Sequence, residues 1–276
     1  MTFTDQEIDR FREHLYRRTG MWFGDAKRYY IERRAAERLV ETGSHDVADY
    51  FARLRVDAAE RQALVNAFTV NETYFYREEH QLACLGRTLL PDIVSTRRPG
   101  DKVRIWSAPC STGEEPYSIA LWLLENWRMV DAYNVEIVGS DIDSQALEAA
   151  RSGIYAERAL ARLPAAVRGA YFEPLKRHRW KIIDDLRESV TFTHANLMES
   201  AGLGEQGLFD IIFCRNVLIY FDDASREIAA ANLYDRLVPG GYLCLGHTES
   251  MSRIDDRFVS RRFDDAIVFQ RPGVPS

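Results

Sequence analysis

RIWSAPCSTGEEPYSIALWL, Arg104 to Leu123, is the stretch that decides the fold. It opens as a short apolar run, passes through a turn of small residues (Ser107, Ala108, Ser111, Thr112, Gly113) and continues as an amphipathic helix. A strand that turns tightly into a helix is the unit from which open α/β sheets are built, and ligands sit there at the carboxyl ends of the strands. Small residues at that turn let a ligand approach the backbone closely. The same composition also suits a tight turn that binds nothing.

Outward from this stretch the grammar is consistent. VEIVGSD (Val135 to Asp141), VTFTHA (Val190 to Ala195), FDIIFCR (Phe209 to Arg215) and YLCLGH (Tyr242 to His247) are further short apolar runs, separated mainly by helical stretches. RFVSR near Phe258 and DAIVFQ near Val268 lie too close together for a crossover helix, so an antiparallel hairpin is expected to close a Rossmann-like, mostly parallel α/β sheet. Tyr171 to Phe192 breaks the alternation and predicts a small inserted β-subdomain. Upstream, Ile8, Phe11, Leu15 and then Ile31, Ala35, Leu39 recur at helical steps, with a capping box at Thr4 and helix-ending glycines at Gly20 and Gly43. The division expected is a helical domain over residues 1–80, a linker over 81–100 and an α/β domain over 101–276.

Composition narrows the function classes. The chain has 276 residues, 46% of them hydrophobic, enough for two packed units. No run approaches the roughly 18 apolar residues of a membrane span, and the first twenty residues are charged throughout, so a soluble cytoplasmic protein is expected. Cys84, Cys110, Cys214 and Cys244 never form a C-x-x-C pair and suit buried thiols. The histidines show no ligand spacing, so no metal is expected. A net charge of −6 argues against a nucleic-acid partner.

The turn lacks G-x-G-x-x-G and places Glu114 and Glu115 where a dinucleotide would bring its pyrophosphate. Two carboxylates there repel phosphate and suit a cationic ligand such as S-adenosylmethionine; one of the pair is expected only to stabilise the helix N-terminus. Asp141 ends the second strand, at the position that offers an acid to ribose hydroxyls, while Asp143 and Ser144 suit a helix cap. Asn196, Arg215, Asn216 and Tyr220 fall at the ends of two further strands. Asn196 is a candidate for the adenine side, and Arg215 is either a pocket residue or a structural partner of Asp210 or Asp222. NETYFYRE, Asn71 to Glu78, is an aromatic-rich run between the two parts, read either as a cover over the pocket or as a packed linker.

Taken in order, NETYFYRE, SAPCSTGEEPYSIA, GSDIDSQALEAARSGIY, FDIIFCRNVLIYF and GGYLCLGHTES resemble the CheR family of chemotaxis receptor methyltransferases over nearly the whole chain. The resemblance implies a helical N-terminal domain, a methyltransferase domain with a small inserted β-subdomain, S-adenosylmethionine as methyl donor and a γ-glutamyl methyl ester as product. By that pattern Asn71, Thr73, Arg77, Glu115, Asp141, Asn196, Leu197, Arg215 and Asn216 are expected cofactor contacts, with Arg77 and Tyr220 nearest the transferred methyl. Receptor tethering through a tail pentapeptide goes with a longer, glycine-containing loop in the insertion. Here PLKRHRWKI, Pro174 to Ile182, has no glycine and is shorter, so a monomer acting on a chemoreceptor cytoplasmic domain without a tether is expected.

In KRYYIERRAAERL, Lys27, Arg34 and Arg38 fall within one narrow helical stripe, suited to docking an acidic receptor helix or to a merely solvated face. Three competing readings are a methyltransferase of nucleic acids or small molecules, a cofactor-binding regulator without turnover, and an NAD-dependent oxidoreductase. The absence of an N-P-P-Y-like tetrad and the acidic charge count against a nucleic-acid substrate. The missing glycine fingerprint counts against NAD.

Overall fold

The computed structural model describes residues 2–204, 206–264 and 266–273. Four helices come first: α1 (Asp5–Thr19), α2 (Arg28–Thr42), α3 (Val47–Val56) and α4 (Ala58–Phe68). Thr4 and Glu7 form the reciprocal capping box at the start of α1, and Gly20 and Gly43 end α1 and α2 in the left-handed conformation that costs glycine nothing. After the NETYFYRE segment, α5 (Glu79–Cys84) runs through a wide turn at Leu85–Leu89 into α6 (Leu90–Val94).

The remainder alternates: β1 (Lys102–Ser107), α7 (Glu114–Asn126), β2 (Asn134–Asp141), α8 (Ser144–Ser152), β3 (Ile154–Ala156), α9 (Ala165–Tyr171), β4 (Phe172–Leu175), β5 (Arg179–Ile182), α10 (Asp184–Glu188), β6 (Val190–His194), α11 (Ser200–Gly204), β7 (Phe209–Cys214), α12 (Asp223–Arg236), β8 (Leu237–Leu245), β9 (Val259–Arg262) and β10 (Ile267–Gln270). Seven strands form one sheet in the order β6-β2-β1-β7-β8-β10-β9, parallel through β8 and antiparallel for the last two. The order reverses beside β1, and the crevice beyond the ends of β1, β2 and β7 is therefore the place for a ligand. The inserted sheet, β3-β5-β4, is wider than residues 171–192 imply: its first strand comes from Ile154–Ala156, three residues that acquire strand geometry only by pairing with β5.

Alternation along the strands builds two cores. Ile105, Ile211 and Phe213 point to the face covered by α5, α6 and α7, while Trp106, Ile212 and Cys214 point to the other. That second core is continuous with the interior of the helical bundle, including Phe11, Ile31, Tyr50 and Phe68. All four cysteines are buried, and no disulfide links them. Among the described residues, no helix is long and apolar enough to cross a membrane.

Candidate active site

The crevice at the strand ends is a cleft of about 690 Å³ walled by both halves of the chain. The bundle side contributes Thr19, Met21 and Thr69; the sheet side contributes Asp141, Leu197 and Asn216, with Tyr220 at one end. A second chamber of about 560 Å³ shares Val70, Pro109, Ser111 and Asn216 with it and adds Thr73, Arg77, Glu115 and Arg215. Every expected cofactor residue thus lines one of the two connected spaces. The first is mostly apolar with the buried Asp141 carboxylate in its wall, and the second carries the charged side chains Arg77, Glu115 and Arg215.

Asp141 is buried, and its two oxygens accept the backbone N–H groups of Ser111 (2.7 Å) and Asp143 (2.9 Å). Burial raises its carboxyl to about 6, against the pull of those two N–H groups. Asp143 is the cap: its carboxylate accepts from Gln145 and Ala146 at the start of α8 and from Asn71 Nδ2 at 2.8 Å. Asn71 also accepts from Ser111 Oγ, which ties the crossing segment to the β1 turn. Asn196 is largely committed within the protein, donating to Arg18 O and Glu199 and accepting from Met198 N, so one lone pair of its Oδ1 is left for a ligand.

The two glutamates stand in different surroundings. Glu114 is buried at the first turn of α7 and accepts from Thr112 Oγ1 at 2.6 Å, with burial raising its carboxyl. Glu115 faces the polar chamber, accepting from Ser107 Oγ (2.8 Å) and Arg215 Nη1 (2.7 Å). Arg215 has a side chain only 3% exposed, and its partners are Glu115 and Glu78 rather than Asp210 or Asp222. Asp210 is taken by Arg97, and Asp222 caps α12 while accepting from Tyr16 Oη. Burial opposes the Arg215 charge, and the two carboxylates outweigh it, raising its pKa. For Glu78, burial is overcome by Arg215 and His247, and the carboxyl lies below its ordinary value.

Arg77 donates to Glu72 O at 2.7 Å and lies 5.8 Å from the Tyr74 ring centre. Tyr220 is half-buried; burial and Glu72 raise its hydroxyl, and the Arg77 charge opposes them. The docking stripe is not brought together intact. Arg38 is turned to Glu60 and Glu41, and Glu60 is itself buried against Tyr50 Oη, so Arg38 holds the bundle together. Arg34 pairs with Glu37 and lies over Tyr30, while Lys27 stands exposed beside Tyr30 and Tyr220.

Several residues of the site carry no local signal. Glu249, within the GGYLCLGHTES run, accepts the backbone N–H groups of Asn216 (2.7 Å), Leu218 (2.8 Å) and Gly246 (2.9 Å), and so fixes the loop that carries Asn216 and Tyr220. Asn216 has φ 60°, and a Cβ at Gly246 would lie 2.7 Å from Asn216 Nδ2. Met21 reaches the site through an isolated bridge to Phe221. These contacts join residues distant in sequence, and periodicity does not report them.

The pair of spaces fits S-adenosylmethionine. On that fit the apolar cleft would take the nucleoside, Asp141 would meet hydroxyl donors, and Glu115 with Arg77 and Arg215 would meet the zwitterionic amino-acid end. Comparisons agree. The family model for the CheR methyltransferase SAM-binding domain matches residues 71–267, and that for the CheR all-alpha domain matches residues 6–69. Chemotaxis protein methyltransferase 2 of Vibrio cholerae is 45% identical over 99% of this chain and 95% of its own. A chemotaxis protein methyltransferase of Vibrio parahaemolyticus is 35% identical over 98% of both chains. Chemotaxis protein methyltransferase 2 of Pseudomonas aeruginosa is 37% identical over 90% of this chain and 88% of its own.

Proposed function

Because the chain belongs to the CheR methyltransferase family, we propose that it transfers the methyl group of S-adenosylmethionine to glutamate side chains of a chemoreceptor cytoplasmic domain, in the cytoplasm. The observation that carries the reading is the junction itself: Tyr220 walls the apolar cleft on one side and an open surface groove on the other. A glutamate with pKa near 4.3 is already an anionic nucleophile at pH 7, so no general base is needed. Its oxygen forms a bond to the methyl carbon as the sulfur–carbon bond breaks, and the sulfur keeps the electron pair. The opposite charges of carboxylate and sulfonium are both lost, leaving an ester and S-adenosylhomocysteine.

Positioning is then the main task of the protein. The Tyr220 hydroxyl stays protonated at neutral pH and donates to the acceptor carboxylate, holding it while leaving charge on the attacking oxygen. Arg77 is already drawn to Glu72 O, which restrains it from clamping the acceptor; a tight ion pair would stabilise the ground state and slow the step. The turn in the inserted hairpin, Lys176–His178, is short, and Arg177 and His178 both take positive φ. That tight turn supports methylation without a tether. The test is transfer of tritiated methyl to receptor cytoplasmic fragments with and without their C-terminal tails. Base-labile label at equal rates on both is expected; label stable to base, or none, overturns the reading.

A further inference from the structure

The outer side of Tyr220 opens onto a groove of about 710 Å³ walled by Trp22, Lys27, Tyr30, Val70, Ile219 and Tyr220. Three of these walls are large apolar side chains left in water: Trp22 is 58% exposed, Val70 51% and Ile219 49%. Isolated exposed apolar residues need no explanation, but three converging on one groove mark an interaction surface. Among the described residues Lys27 is the one charged side chain in its walls, so the lining is cationic at the rim, while the charge of Glu72 reaches the Tyr220 hydroxyl from outside it.

The groove is preformed. Trp22 N–H donates to Tyr220 O at 2.8 Å, Met21 pairs with Phe221, and Tyr16 packs edge-on against Trp22 at 6.0 Å while its hydroxyl reaches Asp222 at 2.9 Å. Beneath, Phe23 stacks on Tyr30 at 6.0 Å and lies edge-on to Phe68 at 5.6 Å. The bundle and the sheet each supply one lip, and Met21, Val70 and Tyr220 belong to both the groove and the donor cleft.

We propose that this groove seats the acceptor segment: an acidic stretch of the receptor whose target carboxylate passes Val70 to Tyr220 while neighbouring apolar side chains cover Trp22 and Ile219. The proposal rests on the receptor reading above and adds where the substrate lies. Continuity with the donor cleft fixes the direction of entry, and the lone Lys27 selects a negatively charged occupant over a neutral or basic one. Apolar contact supplies the affinity, and tryptophan at the centre of such a patch carries a large share.

Steady-state methylation of a receptor cytoplasmic fragment by the full chain tests this, alongside calorimetric binding of S-adenosylhomocysteine. Trp22→Ala and Ile219→Ser are each expected to raise KM for the fragment roughly tenfold, and Lys27→Glu by a factor of about three or more, with S-adenosylhomocysteine affinity held within about twofold. Should Trp22→Ala weaken S-adenosylhomocysteine binding, it acts through the Tyr220 backbone, and Ile219→Ser decides. Unchanged KM in an active Ile219→Ser enzyme overturns the groove and leaves the receptor reading standing. No transfer by the wild type to any receptor fragment removes both. A concentration-dependent dimer abolished by Trp22→Ala would assign the groove to a second copy of the chain and also overturn the proposal.

Discussion

Asp141 holds its carboxyl at about 6 because burial penalises the charge more than two backbone N–H groups relieve it. The sign of the pH effect follows. The folded pKa lies above the unfolded value of about 3.9, so the native state binds more protons between them, and the stability cost of ionising Asp141 enters as pH rises through that window. If Asp141 holds the ribose as proposed, the hydroxyls prefer its ionised form and ligand binding releases the proton. S-adenosylhomocysteine should therefore bind about tenfold more weakly at pH 5 than at pH 7, level off above pH 7, and lose this dependence in Asp141→Asn, which also binds more weakly at pH 7. Calorimetry across that range checks it; a flat profile in the wild type would detach Asp141 from the ligand. Arg215 makes a different prediction. It is buried between Glu78 and Glu115, and Arg215→Met strips Glu115 of its cation and leaves Glu78 with His247 alone, at a cost of about 3–5 kcal/mol in urea unfolding. Near-normal stability would mean that the carboxylates take up protons instead.

At the scale of elements, the hairpin between β4 and β5 is strained by its residues. Arg177 and His178 take φ of 61° and 54°, where the left-handed conformation crowds any side chain with a Cβ. His178 lies 3.5 Å from Glu157 with its side chain 90% exposed, a pairing worth little in water. Replacing Arg177→Asn together with His178→Gly should therefore stabilise the protein by about 1 kcal/mol without altering methylation, as read by urea denaturation and the tritium assay. The same hairpin shows what was legible. WKII announces β5 through its own apolar residues, and the central strands β1 and β7 announce themselves likewise, because burial on both faces demands continuous apolar runs. β3 does not, since Ile154–Ala156 is three residues long and owes its geometry to a partner some twenty-five residues away. The beginning of β8, Leu237-Val-Pro-Gly-Gly, reads as a turn, and its pairing with Phe209 comes only from the register of the sheet. The site divides on the same line. Asp141, Glu115 and Arg215 stand at strand or turn positions that the pattern locates. Glu249, Met21 and the partner choices of Arg38 and Arg215 depend on contacts across the fold.

The whole molecule behaves as two sequence blocks with one cooperative interior. The bundle core runs without interruption into one face of the sheet, and polar ties reinforce the join: Gln62 to Ile142 O at 2.8 Å, Asn66 to Ser144 at 3.0 Å and Asn196 to Arg18 O at 2.7 Å. The interior of the bundle and that face of the sheet belong to one continuous apolar core, so the helical domain is expected to have no separate transition of its own. The donor cleft is also shared, with Thr19, Met21 and Thr69 facing Asp141 and Leu197, so a ligand there binds the assembled state alone. Heating should give a single calorimetric transition with equal van't Hoff and calorimetric enthalpies. S-adenosylhomocysteine at about 100 times its Kd adds about 2.7 kcal/mol and should raise Tm by on the order of 5 °C, with the bundle and the sheet moving together. The probe for the bundle is Trp22 fluorescence in a variant lacking the other four tryptophans, and near-ultraviolet circular dichroism of the wild type reports on the aromatic packing as a whole. Two transitions, with only the later one shifted by ligand, would show that the bundle melts away from the sheet before the cleft is lost, and that the cofactor is held by residues 101–276 alone.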